Sequence, residues 1–465
     1  MACLTRFSSP QLTLLHRGKV RDSLRVDAKT RLIVVTDRIS AFDHQLETPI
    51  PSKGAVLNSL SRFWFERTRG IVSSHFLGAV DPQAMLVREA RPIRVEMVVR
   101  AYITGSMWRA YEKGKRTFSG IAVPDGLKKN QRLPKPILTP TTKEASDREV
   151  TPAEIIDLKL ADQPTYDEMA RVSLELFKAG TDLLAQKGLL LVDTKYEFGT
   201  VDGRLTLIDE IHTPDSSRFW SADDFAKDPT TCVEMDKEYV RRWLLDHTKD
   251  GEAMPTRLPD DVVAEASKRY LQLYERVTGS PLGLPPTDPR DRLYKNLVRE
   301  RILKDGFVVI FMGSTSDQAH CARLKEALEK YEVAVDQRVV SAHRNGEEIA
   351  RMAQEYNDSV EPGAAIAVAG LSNGLGGALA ANLAIPVFNS PPFKDQTDLL
   401  VNVNSSLMMP SKLPAATVIG VEAAALAALR SLNVHRLRDR FLREIAELKA
   451  KLRDEDQRIR GRECP

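Results

Sequence analysis

The sequence has few cysteines, no long apolar run and little net charge, and each shortage excludes a class of protein. Its 465 residues include only four cysteines, which are far apart and form no CxxC pair: Cys3, Cys232, Cys321 and Cys464. We therefore predict neither a zinc site nor a disulfide framework, and a reducing compartment fits this cysteine usage. No apolar stretch approaches the roughly 18 residues of a membrane-spanning helix.

The remaining bulk properties favour an ordinary globular enzyme. A formal net charge of +3 over this length argues against a protein that coats nucleic acid. The first residues, MACLTRFSSPQLTLLHRGKVRD, lack the long apolar core of a secretory leader. The composition of 42% hydrophobic and 28% charged residues permits large cores. We expect a cytoplasmic protein that binds neither nucleic acid nor a membrane.

A proline-rich stretch divides the chain. The segment TGSPLGLPPTDPRD, from Thr278 to Asp291, holds four prolines and two glycines, which oppose both helix and strand. For a chain of this length we expect about two to four domains. The predicted limits are a first domain over 1–282, a linker with a short helix over 283–304, and a second domain over 305–465 that ends in a charged helix.

The part after the linker alternates strands and helices. Predicted strands are Phe307–Met312, Val333–Val340, Ala364–Ala369, Ile385–Phe388 and Thr417–Ile419, and predicted helices are Asp317–Lys330, Glu347–Tyr356, Leu375–Leu383, Val421–Leu432 and Val434–Arg460. The strands are short, continuous apolar runs, as in a parallel sheet that is covered on both faces. This pattern predicts an α/β fold with a doubly wound parallel sheet. The part before the linker spreads its predicted strands, such as Val95–Val99 and Leu189–Asp193, among long loops, a pattern that predicts an α+β domain.

Charged residues in the first domain gather at predicted strand ends and turns. Lys19 and Arg21 flank a turn in HRGKVRD, and Lys143 lies in the loop TPTTKEASD. In VDTKYEFG, the side chains of Asp193, Lys195 and Glu197 alternate and share one face of a strand. Each motif alone is also typical of a solvated surface. Together they predict an ATP-using ligase, because carboxylates hold Mg²⁺ beside phosphate oxygens and cations hold anionic substrates.

The same motifs resemble the SAICAR synthetase family of purine biosynthesis over about Leu14 to Ser280. They are RGKVRD, TDRISAFD, IPSKGAVLNSLSRFWF, VVRAYITGSMW, PILTPTTKEA, DTKYEFG and DEIHTPDSSRFW. The resemblance implies that ATP and Mg²⁺ are used to join L-aspartate to the carboxylate of CAIR. It implies Mg²⁺ ligands Glu197 and Asp209, ATP contacts Lys19, Arg21 and Lys143, catalytic residues Lys195 and Arg218, and substrate contacts Arg100, Ser106 and Asp215.

The second domain has three polar turns, each after a predicted strand. The sequences are GSTSD, SAHR and AGLSNGLGG. In a doubly wound sheet such turns share the carboxyl edge of the sheet, where helix N-termini receive phosphates. Residues expected to converge there are Ser314, Ser316, Asp317, Ser341, His343, Arg344, Gly370, Ser372 and Asn373. His343 can carry a proton near neutral pH.

These three turns resemble the AIR carboxylase family over about Phe307 to Asn433. The resemblance implies that AIR and CO₂ form CAIR with His343 as a catalytic residue and without biotin or a metal. The family's carboxylase domains assemble into octamers, so we expect a homo-oligomer. Two positions depart from the animal proteins, which carry Arg in place of Leu371 and usually Lys in place of Arg344.

Two alternatives stay open at this stage. The second domain could be a degenerate or mutase-type domain that serves oligomerisation beside an active synthetase. Mutases of this group carry a GGAAHLP-like loop where this chain has AGLSNGLGG. The whole chain could also be a regulatory nucleotide-binding protein, although the acidic residues Glu197 and Asp209 beside Lys195 argue against that.

Overall fold

The structure is a computed structural model that describes residues 2–42, 44–143, 148–232, 238–248 and 253–461. The chain divides into two compact units. The first comprises Leu14–Leu293 with the residues up to Arg6, and the second comprises Phe7–Thr13 and Tyr294–Pro465. Within the described ranges, no helix is long and apolar enough to cross a membrane.

The first unit is an α+β fold. Its strands are β1 (Thr13–Arg17), β2 (Arg21–Arg25), β3 (Thr30–Val35), β4 (Ser40–Ala41), β5 (His44–Gln45), β6 (Phe76–Asp81), β7 (Ala84–Arg88), β8 (Arg91–Tyr102), β9 (Thr117–Phe118), β10 (Ile121–Ala122), β11 (Arg132–Leu138), β12 (Thr141–Thr142), β13 (Leu189–Val201), β14 (Arg204–Ile208) and β15 (Ser217–Ser221). Its helices are α1 (Lys53–Thr68), α2 (Gly105–Glu112), α3 (Pro152–Asp157), α4 (Gln163–Ala185), α5 (Ala222–Lys227), α6 (Glu238–Asp246) and α7 (Asp260–Thr278), and α8 (Pro289–Arg299) spans the division between the units.

Two larger sheets organise this unit. One has the strand order β1-β2-β3-β7-β6. The other has the order β11-β8-β13-β14, with β12 paired to β8 and β15 paired to β13, and its pairings are antiparallel. Because strand residues alternate between faces, β13 directs Tyr196 and Phe198 into the core and leaves the intervening charged residues on the opposite face.

The second unit is an α/β fold with a parallel sheet. Its strands are β16 (Phe307–Met312), β17 (Ala334–Val339), β18 (Gly363–Val368), β19 (Val387–Asn389) and β20 (Ala416–Thr417), and its helices are α9 (Gln318–Glu329), α10 (Glu348–Asn357), α11 (Gly374–Ala380), α12 (Gln396–Leu407), α13 (Val421–Ser431) and α14 (His435–Ile459). The order is β17-β16-β18-β19-β20, and every pairing is parallel. Every residue of β16 and β18 is buried, which confirms the prediction of a sheet covered on both faces. Helix α12 was not predicted.

The linker region joins the units through α8. In the first unit, the Arg292 guanidinium donates to both carboxylate oxygens of Asp81 at 3.0 and 3.1 Å. In the second unit, the hydroxyl of Tyr294 donates to Asp305 at 2.8 Å. The units divide at Leu293, which lies between the predicted domain limits of 282 and 305. Those limits stay a prediction.

Candidate active sites

At one end of the charged face of β13, two arginines bind one carboxylate. The Asp193 carboxylate accepts from the Arg100 guanidinium at 3.4 Å and also pairs with Arg218. Gly105 lies against Arg218, since a Cβ at this position would be 2.7 Å from its Nη2, and the backbone is left-handed there with φ +55°. Glycine is therefore required at this turn. Ser106 follows it, exposed in the first turn of α2.

The centre of the same face holds Lys195 among acidic residues. Its Nζ donates to Oε1 of Glu96 at 3.0 Å, across the paired strands β8 and β13. Burial lowers the pKa of Lys195, but the carboxylates of Glu96, Glu197 and Asp209 raise it by more, so its pKa lies above the ordinary value. Lys195 is therefore a partly exposed cation in an acidic surrounding.

Asp209 and Glu197 form the acidic end of this face. Asp209 follows β14 with a left-handed φ of +67°, a strained backbone for a residue other than glycine. Its carboxylate accepts from the Arg21 guanidinium at 2.8 Å, and Arg21 also pairs with Glu210. Glu197 pairs with Lys143. Burial raises the pKa of Asp209, and the Glu197 carboxylate raises it further against the opposing effect of Arg21.

This donor set fits a magnesium ion held partly by a substrate. Among the described residues, no group of three or more metal-ligating side chains is present. Mg²⁺ commonly takes only one or two carboxylates and fills its octahedron with phosphate oxygens and water. Asp209 and Glu197 are two such carboxylates, and the Glu197 charge raises the pKa of Asp209, an effect that a cation between them would relieve.

The second unit has a cavity of about 400 Å³ at the carboxyl edge of its sheet. The predicted residues that line it are Ser314, Ser316, Asp317, Ser341, His343, Arg344, Gly370 and Ser372. They follow β16, β17 and β18, and the gap between the ends of β16 and β18 is the point where chain order reverses along the sheet, as in other open sheets that bind ligands. Burial raises the pKa of Asp317.

Comparison with known proteins assigns the first unit. The family model described as SAICAR synthetase matches residues 14–258, more than half of the chain. The chain belongs to the SAICAR synthetase family. A phosphoribosylaminoimidazole-succinocarboxamide synthase of Cytophaga hutchinsonii is 40% identical over 304 residues, which is 63% of this chain and 97% of that protein. The solved SAICAR synthase of Saccharomyces cerevisiae, complexed with SAICAR, is 34% identical with a TM-score of 0.55 and covers 60% of this chain and 100% of its own.

The second unit matches a second family of the same pathway. The AIR carboxylase family model covers residues 307–455. The solved PurE of Treponema denticola is 31% identical, with a TM-score of 0.30, over 33% of this chain and 96% of its own. The two family matches show a fusion of a SAICAR synthetase domain, which is the first unit, and an AIR carboxylase domain of purine biosynthesis, which is the second unit.

Two predicted site residues, one in each domain, have side chains that bind other groups of the protein. In the synthetase domain, the Asp215 carboxylate accepts from the buried Lys53 ammonium at 2.8 Å and from the Tyr270 hydroxyl at 3.2 Å. In the carboxylase domain, Asn373 is not among the residues that line the cavity. Its side chain instead donates to Ser406 at 2.8 Å and caps α11.

The turn that carries Lys19 is held by Arg38, a residue to which the sequence analysis assigned no role. The Arg38 guanidinium donates to the carbonyl oxygens of Lys19 at 3.2 Å and Gly18 at 2.9 Å, and to the Asp22 carboxylate at 2.8 Å. Glu96 was also missed. A carboxylate inside the apolar run VEMVV was the available signal, because such a residue is rarely buried without a cationic partner.

The histidine of the carboxylase cavity packs against a glycine, and an exposed leucine stands nearby. A Cβ at Gly374 would be 3.2 Å from the His343 ring, so a larger residue would displace the imidazole. Leu371 lines the cavity in a left-handed conformation with φ +58°, and it is 75% exposed. Its backbone N–H donates to Asn402 at 2.6 Å, which holds the unusual conformation.

Proposed function

We propose that this protein catalyses two reactions of purine biosynthesis. The carboxylase domain adds CO₂ to AIR to give CAIR, and the synthetase domain joins CAIR to L-aspartate with ATP and Mg²⁺ to give SAICAR, ADP and phosphate. The observation that carries the synthetase assignment is the charged, partly exposed face on which Glu197 and Asp209 meet the cations Arg21, Lys143 and Lys195. A site of this composition suits three anionic substrates and a metal.

The ligation needs an activated carboxylate, since a free carboxylate is a poor acyl donor. An oxygen of the CAIR carboxylate attacks the γ-phosphorus of ATP, and ADP leaves with the electrons of the broken P–O bond. The aspartate amine then attacks the acyl phosphate, phosphate leaves, and the amine loses a proton. When bound, Mg²⁺ neutralises charge on the phosphate oxygens, and Glu197 and Asp209 are the residues that would hold it.

The remaining residues of the synthetase domain supply charge and position. We assign Lys19, Arg21 and Lys143 to the ATP phosphates. Arg21 and Lys143 pair with the proposed metal carboxylates, and Lys19 lies on the turn between β1 and β2. Lys195 and Arg218 are the catalytic cations, which stabilise charge that develops on phosphoryl and acyl oxygens. Arg100, Ser106 and Asp215 are proposed contacts of CAIR and aspartate.

In the carboxylase domain, the ring carbon of AIR forms a bond to CO₂ and loses its proton. We propose that His343 transfers this proton, as its ring stands in the cavity beside Gly374. The turn residues that line the cavity would hold the ribose 5′-phosphate and the new carboxylate: Ser314, Ser316, Asp317, Ser341, Arg344, Gly370 and Ser372. Asn373, whose side chain caps α11, would position this loop. The step requires neither ATP nor biotin nor a metal, because AIR is already electron-rich at this carbon and CO₂ needs mainly positioning.

Omission of single substrates tests the proposal. Purified protein is incubated with AIR, bicarbonate, ATP, Mg²⁺ and aspartate, and CAIR and SAICAR are measured with each component left out in turn. CAIR should form without ATP and aspartate, whereas SAICAR should need every component. SAICAR formation without ATP, or CAIR formation that needs ATP, would contradict the proposal. We further propose a cytoplasmic homo-oligomer, with eight subunits as the expected number.

A mutase activity of the carboxylase domain is the second candidate. Leu371 favours it, because the exposed apolar side chain stands at the cavity where animal-type carboxylases carry a cationic arginine. The loop AGLSNGLGG favours direct carboxylation, since Ser372 offers a polar contact at the cavity. An Asp209→Asn protein, which blocks onward flux, is supplied with AIR and bicarbonate or with freshly made N-carboxylated AIR. CAIR that forms at low bicarbonate only from N-carboxylated AIR would identify a mutase.

A further inference from the structure

The synthetase domain has another cavity, of about 980 Å³, that none of the residues assigned above lines. Its walls are the first residues of β8, the connection between α3 and α4, and Thr200 near the end of β13. Three cations line it: Arg91, Arg94 and Lys159. Apolar side chains, with Ile93, Ile156 and Leu160 among them, form another part of the surface, and Asp162, Thr165 and Thr200 complete it. The cavity therefore combines positive charge with an apolar wall.

The cations of this cavity have no acidic partner within the described ranges of the chain. In the part of the chain that the structure describes, none of Arg91, Arg94 and Lys159 forms an ion pair. Among the described residues that line the cavity, Asp162 is the acidic one. Its carboxylate accepts from the backbone N–H of Thr165 at 2.9 Å and caps α4, so it is directed at the helix end. Uncompensated cations in a concave surface attract anions.

Lys159 is held at the cavity by a defined backbone turn. It follows the end of α3 with a left-handed φ of +56°. Its N–H donates to the carbonyl of Ile156 at 2.9 Å, and the N–H of Leu160 donates to that of Ile155 at 3.0 Å. Glycine is the usual residue at such a helix end. A lysine there accepts backbone strain, and strain of this kind is concentrated at functional positions.

We propose that this cavity binds a phosphorylated small molecule that carries a planar, apolar ring, such as a nucleotide. The three cations would bind the phosphate, since Arg and Lys are the side chains that recognise phosphate oxygens. The wall of Ile93, Ile156 and Leu160 would contact the ring. The volume is more than twice the 400 Å³ of the carboxylase cavity, and it lies within the range of small-molecule sites.

The cavity is connected to the synthetase site through the backbone. The carbonyl of Arg94 accepts from the N–H of Lys143 at 3.3 Å, and the Lys143 ammonium pairs with Glu197. Thr200 is on β13, three residues beyond Glu197. Because one wall belongs to β13, which carries Glu197, and another is bonded to the backbone of Lys143, we expect an occupant to change the KM for ATP.

Hydrogen exchange with AMP as the probe tests the site. The full chain is saturated with a non-hydrolysable ATP analogue and Mg²⁺, so that the ATP site is occupied, and exchange is measured with AMP, adenosine or inorganic phosphate. AMP should protect amides of 91–94 and 156–165, whereas adenosine should not. Removal of the three cations in a triple variant, Arg91→Ala, Arg94→Ala and Lys159→Ala, should raise the AMP concentration needed for half-maximal protection at least tenfold.

Two further variants keep the test decisive. The control removes three exposed cations elsewhere in the domain by Arg69→Ala, Arg132→Ala and Lys268→Ala, and it should bind AMP as the wild type does. Lys159→Gly removes one cation while it relaxes the strained backbone, so weaker binding by this variant cannot be attributed to unfolding. Absence of protection by AMP, or equal protection in the triple variant, would overturn the proposal. Binding without any change in the KM for ATP would overturn the connection to Lys143.

Discussion

Loss of the Lys53 ammonium is expected to destabilise the synthetase domain strongly. The Lys53 side chain is 0% exposed and its Nζ lies 2.8 Å from the Asp215 carboxylate, whose side chain is 6% exposed. Lys53→Met keeps a similar volume but leaves a buried carboxylate without its cation, and breaking a buried pair in this way costs about 3–5 kcal/mol. We expect about 3 kcal/mol, at the lower end, because the Tyr270 hydroxyl still donates to Asp215.

Tryptophan fluorescence reports this domain alone. The four tryptophans of the chain all belong to it: Trp64, Trp108, Trp220 and Trp243. With a urea dependence of about 3 kcal/mol per M, the loss lowers the midpoint of unfolding by about 1 M. Adding Asp215→Asn to Lys53→Met should restore most of the lost stability, because the uncompensated charge is then gone. The exposed Lys268→Met is the control and should change stability by less than about 0.5 kcal/mol.

Two outcomes would refute this reasoning about the buried pair. One is a midpoint for Lys53→Met that matches the Lys268→Met control. The other is a double variant no more stable than Lys53→Met. Activity separates the roles of Asp215, because a pure stability role leaves the KM for CAIR and aspartate of folded Asp215→Asn unchanged, whereas a substrate contact raises it.

Further predictions concern catalysis and pH. Asp209→Asn should abolish SAICAR formation from supplied CAIR while CAIR formation from AIR persists, and loss of both activities would contradict separate sites. His343→Asn should lower carboxylation by roughly 10²–10⁴-fold, the range for a proton-transfer residue, with SAICAR synthesis from CAIR intact; near-normal carboxylation would make His343 structural. Burial lowers the pKa of His75 and His212 from 6.5 to about 3, so the unfolded chain binds protons between these values that the folded domain does not. As the pH is lowered, the free energy of unfolding of the synthetase domain should therefore decrease, by about 2 kcal/mol per histidine from pH 6.5 to roughly pH 5. Measured by tryptophan fluorescence, the stability of His75→Phe should depend less steeply on pH. An unchanged slope would contradict the burial argument.

The secondary structure of the carboxylase domain was largely predictable because its strands are buried on both faces. The bounds of β16, Phe307–Met312, were predicted without error, since a continuous apolar run ends at Gly313. Helix α12 was missed, because its sequence QTDLLVNVNSSL mixes polar and β-branched residues without a helical stripe. Its start was readable in principle, as Asp395 caps the helix by accepting from Asp398 at 2.9 Å.

Strands of the synthetase domain extend further than their apolar runs. We predicted Val95–Val99 and Leu189–Asp193, and the structure has Arg91–Tyr102 and Leu189–Val201. The extra residues include charged side chains that pair across the strands, as Lys195 does with Glu96. A hydrophobic pattern underestimates the length of such strands, because a charged residue is taken to be exposed when its partner is unknown.

The sequence by itself determined the order of the two domains, the alternation of the carboxylase domain and the motif residues at the ends of its strands. These depend on local propensity and on short runs of neighbouring residues. Only the tertiary structure decided which charges meet. Lys53 and Asp215 are 162 residues apart, and Glu96 and Lys195 are 99 apart. Such pairs depend on strand register and helix packing, and a shift of register by one residue would turn each side chain to the opposite face of its sheet.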